Sequence, residues 1–86
     1  MEAKLVEAIT VAIRSVSKRT QTMVIAPDSS MVDDLALDSL DLVSVLMKLE
    51  DEYDVKIELD DVPNIQTVGD LAAHLAKIIG DQSVAA

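Results

Sequence analysis

The sequence predicts an all-α fold: a small four-helix bundle of three main helices and one short one, with a long loop between the first and second. Three observations carry this. Only two glycines and two prolines interrupt 86 residues, so long helices are favoured over many short strands. Aliphatic residues recur at helical spacing in three separate stretches. Two of those stretches open on a capping pattern, Asp38 with Asp41 and Thr67 with Asp70.

The first helix is read over residues 3–17, where Leu5, Val6, Ile9, Ala12, Ile13 and Val16 share one face. The next stretch, "SKRTQTMVIAPDSSMVDD", has no clear period and holds Pro27 and the turn-like Asp28-Ser29-Ser30. It reads as a long loop pinned by Met23, Ile25, Met31 and Leu35, and loops of that length tend to be functional or tightly packed. The second helix starts at Asp38 or Ser39 and runs to about Tyr53. A segment "IELDDVPN" has room for about one helical turn before Pro63 stops it. The last helix opens at Thr67, buries Val68, Leu71, Leu75 and Ile78, and stops at Gly80. Residues 1–80 are thus expected to form one domain, with 81–86 as a flexible tail.

Composition narrows the chemistry. Tyr53 is the only aromatic residue and there is no cysteine. The core must be aliphatic, and disulfides, thiolate metal sites and cysteine nucleophiles are excluded. The formal net charge of -9 is uneven: residues 1–27 carry four basic groups against two acids, and residues 28–86 carry three lysines against fourteen acids. Such a field repels phosphate backbones and anionic membranes and attracts basic protein surfaces. No basic stripe or stacking aromatic points to nucleic acid. No stretch is long and apolar enough for membrane insertion, and a soluble cytoplasmic monomer is the expectation.

The second helix carries two apolar arcs when successive residues are turned by about 100°. Leu42, Val45, Leu46, Leu49 and Tyr53 suit the core; Leu40, Val43 and Met47 form a separate arc that continues into Glu50, Asp51 and Asp54. The second arc is either further core beneath the loop or the short third helix, or a partner-docking strip rimmed by acids. Glu50, Asp51 and Glu52 cluster at the negative end of the helix dipole, where they weaken the helix, which favours docking.

No catalytic constellation is legible. His74, the only histidine, lies mid-helix among leucines, and no nucleophile elbow is present. The paired acids Asp33-Asp34 and Asp60-Asp61 lack calcium-loop spacing. Ser39, in "LALDSLDLV", is different. With Asp38 as the cap, its hydroxyl falls in the first helical turn, where an attached phosphate meets free backbone N–H groups and the positive end of the dipole. Asp38 and Asp41 oppose part of that benefit, so on the residues alone both helix punctuation and modification stand.

These stretches together resemble the acyl carrier protein family. "DSLDLVSVLMKLEDEYDVKI" (38–57) is similar to its modification motif and second helix, "DSSMVDDLALDSL" to the preceding loop, and "PNIQTVGDLAAHL" to the approach to the last helix. The resemblance covers roughly residues 3–79. It implies a bundle of the acyl-carrier type and a protein that is not an enzyme. It implies that Ser39, next to Asp38, carries 4'-phosphopantetheine as a phosphodiester, added from coenzyme A by a separate phosphopantetheinyl transferase. Acyl intermediates of fatty-acid, specialised lipid or polyketide synthesis would ride on that arm as thioesters. It further implies that Leu40, Asp41, Val43, Met47, Glu50 and Asp51 face the acyl-loading, condensing and acyl-transfer enzymes through their basic docking surfaces. Alternatives in keeping with the same residues are a peptidyl or D-alanyl carrier and an unmodified helical docking adaptor. Two departures from the family pattern stand out. Ala36 occupies the place of a glycine common two residues before the aspartate, and Ser44 and Lys48 make the exposed face less uniformly acidic. Together they predict a specialised carrier.

Overall fold

The computed structural model describes residues 2–85; the side chains of Glu2, Leu59, Asp61 and residues 81–85 lie outside that description. Helix α1 spans Glu2–Val16, α2 spans Ser39–Tyr53 and α3 spans Val68–Ala85. Two 3-10 helices, Lys18–Thr22 and Leu59–Asn64, complete the order, and no strand forms among the described residues. Helix α1 packs against both α2 and α3.

The core follows the sequence periodicity. Leu5, Ile9, Ala12 and Ile13 from α1 meet Val45, Leu46 and Leu49 from α2 and Val68, Leu71, Ala72 and Leu75 from α3, all buried. Each fully buried Leu, Ile or Val stabilises by about 1.5–3 kcal/mol, so the helices are joined chiefly by aliphatic packing. Leu42, Tyr53 and Ile78 pack half-buried against this core.

The long connection between α1 and α2 is tied down by buried side chains and by backbone bonds to α3. Met31, Leu35 and Leu37 are buried in the core, and Met23 and Ile25 pack against it. The Ser29 carbonyl accepts from the Val68 N–H at 3.1 Å, and the Met31 N–H donates to the Gln66 carbonyl at 3.0 Å. These bonds satisfy backbone groups at the start of α3 that have no intrahelical partner. The Thr67–Asp70 capping box is complete: Asp70 N–H donates to Thr67 Oγ1 at 3.0 Å, and Asp70 Oδ2 accepts from Thr67 N–H at 3.1 Å.

Three expectations are corrected. The stretch after α1 begins with a 3-10 helix at Lys18–Thr22 rather than plain loop. Its threefold repeat leaves no 3.6-residue pattern to read, and its anchor is a polar residue: Thr20 is fully buried, with Oγ1 donating to the Ser17 carbonyl at 2.6 Å. The short third helix is likewise 3-10, and it contains Pro63 instead of stopping before it. Helix α3 passes through Gly80 to Ala85. No glycine has positive φ among the described residues, so Gly80 makes no left-handed cap and the helix has no reason to end there.

Candidate functional site

Ser39 is the first residue of α2 and is exposed. Asp38 caps the helix from an extended conformation (φ -90°, ψ -178°), and its Oδ1 accepts from the Asp41 N–H at 2.8 Å. The Asp38 carbonyl accepts from the Leu42 N–H at 2.9 Å. The Ser39 and Leu40 N–H groups, which precede those two donors, have no protein partner among the described residues and point out of the helix start. Ser39 thus stands at a helix start, with the aspartate box closed in one direction only.

The approach to Ser39 is tightly bent. Leu35 and Leu37 are both buried, while Ala36 between them is exposed with φ 54°. A left-handed conformation costs a residue with a Cβ about 1–2 kcal/mol. The departure at Ala36 therefore falls where the backbone calls for glycine, and the turn is made without one. Arg19, in the first 3-10 helix, donates from Nη2 to the Ala36 carbonyl at 3.0 Å. Nothing in the sequence pointed to Arg19, because the two residues lie seventeen positions apart and neither belongs to a periodic pattern.

The second arc of α2 is solvent-facing. Leu40 is 78 % exposed, Val43 41 % and Met47 58 %, so the reading of this arc as extra core beneath the loop fails. Around it, Asp51 is exposed and Asp41 half-buried. Glu50 is half-buried and already engaged: its Oε2 accepts from the Ile57 N–H at 3.0 Å. Its carboxylate therefore ties the chain after α2 back to the helix. Ser44 and Lys48 are exposed.

An apolar cavity of about 230 Å³ adjoins Ser39, lined also by Leu42, Val43, Leu46, Val62 and Pro63. Two further cavities share its walls. One, of about 290 Å³, continues along Val43 and Leu46 towards Met47 and Ile57. The other, of about 440 Å³, continues along Leu42, Val62 and Pro63 towards Val32 and Ile65. Val62 and Pro63 were invisible as site residues in sequence, since they reach Ser39 only through packing. A larger depression, of about 730 Å³, lies between α1 and the C-terminal half of α2 and does not include Ser39.

The family described as "Phosphopantetheine attachment site" matches residues 7–75, most of the chain. The chain belongs to the phosphopantetheine attachment site family. Among curated relatives of this family member, the meromycolate extension acyl carrier protein of Mycobacterium tuberculosis is 44 % identical over 54 residues. That match covers 63 % of this chain and 47 % of the relative, so the chain spans about half the length of the first curated relatives it matches. A solved Mycobacterium tuberculosis protein, provisionally assigned as an acyl carrier protein, superposes with a TM-score of 0.74 at 38 % identity, covering 84 % of this chain and 95 % of the other. The holo acyl carrier protein of Geobacter metallireducens superposes with a TM-score of 0.75 at 28 % identity, covering 91 % and 88 %. The fold expectation of an acyl-carrier bundle is met. The role of acyl carrier proteins is carriage rather than catalysis, and the prosthetic group implied by this family is 4'-phosphopantetheine. The residues present suit that group: an exposed serine hydroxyl with no competing hydrogen bond, two free N–H donors beside it, and an apolar cavity at its foot. Among the described residues, no helix is long and apolar enough to cross a membrane.

Proposed function

We propose that this phosphopantetheine-family chain is an acyl carrier whose attachment residue is Ser39, with residues 1–80 as the carrier unit. The observation that carries the proposal is the exposed Ser39 hydroxyl at the start of a capped helix, open to both solvent and the apolar cavity. When bound, the prosthetic arm supplies a flexible thiol on which acyl groups travel as thioesters. Asp38 holds the first turn in place, and the unpaired Ser39 and Leu40 N–H groups favour an anionic phosphodiester there.

The cargo is an aliphatic acyl chain of fatty-acid or related lipid synthesis. Adjacent cavities walled by Leu42, Val43, Leu46, Val62 and Pro63 offer apolar cover without an aromatic side chain for such a chain, with Glu50 and Lys56 lining one and Asp33 another. The meromycolate relative supports the lipid assignment. Leu40, Val43 and Met47, with Asp41 and Asp51 at their border, form the face offered to a phosphopantetheinyl transferase and to loading, condensing and acyl-transfer enzymes with basic surfaces. The protein acts as a monomer in the cytoplasm, where coenzyme A is available.

Mass spectrometry tests this reading. Incubation with coenzyme A and a broad-specificity phosphopantetheinyl transferase is expected to add one phosphopantetheine to the wild type and none to Ser39→Ala. An unchanged wild-type mass would sink the carrier role and leave an unmodified docking adaptor. Analysis of groups released from the thioester in cells separates an acyl from a peptidyl or D-alanyl cargo.

A further inference from the structure

The turn before Ser39 makes a left-handed bend at a residue with a Cβ, and a distant side chain holds it there. The peptide unit joining Ala36 to Leu37 is gripped at both ends. Its carbonyl accepts from Arg19 Nη2 at 3.0 Å, and its N–H donates to the Met31 carbonyl at 2.9 Å. Rotating Ala36 out of the left-handed region swings this whole peptide, so both bonds oppose the rotation. Only Asp38 separates the peptide from Ser39. The buried Leu35 and Leu37 anchor either side of the bend but leave Ala36 itself exposed. The Arg19 contact is therefore the one side-chain bond that reaches the bend from another element among the described residues.

We infer that Arg19 is a positioning residue for the modification of Ser39, acting through the Ala36 carbonyl to fix the turn that presents the serine hydroxyl. The inference rests on the reading of Ser39 as the attachment residue. In the reaction concerned, Ser39 Oγ forms a bond to the pantetheine-side phosphorus of coenzyme A. The bond from that phosphorus to the bridging oxygen breaks, adenosine 3',5'-bisphosphate leaves, and the hydroxyl proton passes to a base of the transferase. Oγ must be aimed for this displacement, and a loosened turn spreads it over several directions. Arginine suits the task because its planar fork donates without losing its charge at any ordinary pH.

The experiment is a double-mutant cycle on Arg19 and Ala36, read as kcat/KM for arm transfer from coenzyme A and as amide exchange at Leu37. Arg19→Ala is expected to lower kcat/KM about fivefold, the scale of one ordinary intramolecular hydrogen bond, and to speed Leu37 exchange. Ala36→Gly removes the strain that Arg19 restrains, so Arg19→Ala/Ala36→Gly is expected to return to within about twofold of Ala36→Gly alone. Arg19→Lys, which keeps the charge on a flexible stem, is expected to recover only part of the rate. A wild-type rate in Arg19→Ala overturns the inference. So does an equal loss with glycine or alanine at 36, or full recovery in Arg19→Lys, since either makes Arg19 act independently of the bend. An unmodified wild type would instead sink the assignment of Ser39, a distinct result.

Discussion

The Gly69 N–H donates to the Pro27 carbonyl at 2.7 Å, and a Cβ built on Gly69 would stand 2.9 Å from that same oxygen. The contact joins the start of α3 to the middle of the long loop, and the loop in turn carries the bend that presents Ser39. Glycine is needed here for close approach, not for an unusual φ, since its φ is not positive.

Gly69→Ala is therefore expected to destabilise. Forcing backbone apart in a packed site costs about 1–3 kcal/mol, against at most about 1 kcal/mol regained in helix propensity. Thermal unfolding followed by circular dichroism measures the balance. A melting temperature at or above wild type would show that the loop yields without cost.

Gly80→Ala should act in the opposite direction. Gly80 lies inside α3, and an added Cβ meets nothing within 4 Å. The substitution is expected to stabilise by about 0.5–1 kcal/mol, a rise in melting temperature of about 2–8 °C for a domain of this size.

Asp54 closes α2 in the left-handed region, at φ 53° and ψ 50°, with its N–H donating to the Glu50 carbonyl. It combines a Cβ in that region with a negative charge at the negative end of the helix dipole. Asp54→Gly removes both penalties and is expected to stabilise by about 1–2 kcal/mol. Asp54→Asn removes only the charge and should recover a smaller part. Urea unfolding of the pair separates the two contributions.

The Asp70 carboxyl is held below the usual carboxylate range, first by the Thr67 N–H and then by the Gln66 N–H that donate to it. Because its folded pKa is depressed, its contribution to stability is fully present above the unfolded value. That contribution is lost as pH falls through the folded one. Carboxyl chemical shifts should show Asp70 titrating below an ordinary aspartate. Asp70→Asn should weaken the acid dependence of unfolding, and an unaltered profile would contradict the cap's role.

Met47 projects from α2 beside exposed Asp51. Met47→Glu is expected to weaken binding to an acyl-transfer or condensing enzyme roughly tenfold, about 1.4 kcal/mol, with little change in melting temperature. Asp51→Lys should slow association and reduce its salt dependence, as a rim charge does. Surface plasmon resonance at two ionic strengths reads both. Unchanged affinity in Met47→Glu would remove this face from the docking proposal.

Much of this protein is legible in its linear order, for local reasons. Buried stripes at 3.6-residue spacing specified α1, α2 and α3, because one helical face must meet the core whatever its neighbours are. Asp38 and Thr67 marked two helix starts, because a cap bonds to N–H groups three residues on. The second arc from Leu40 was visible too, but not its fate: core and docking strip share one pattern, and only the placement of the other elements left Leu40 and Met47 in solvent. The residual questions were long-range. Whether Ala36 takes a left-handed turn depends on Leu35 and Leu37 both finding the core. Its hold by Arg19 depends on a 3-10 helix that leaves no helical period. Val62 and Pro63 come beside Ser39 only when the short helix folds over α2. The sequence by itself determined the three main helices and which serine begins α2, through spacing and capping within a few residues, while the 3-10 helix at Lys18–Thr22 left no period to read. Tertiary structure alone decided how Ser39 is aimed and what lies beside it, because those contacts join residues far apart in the chain.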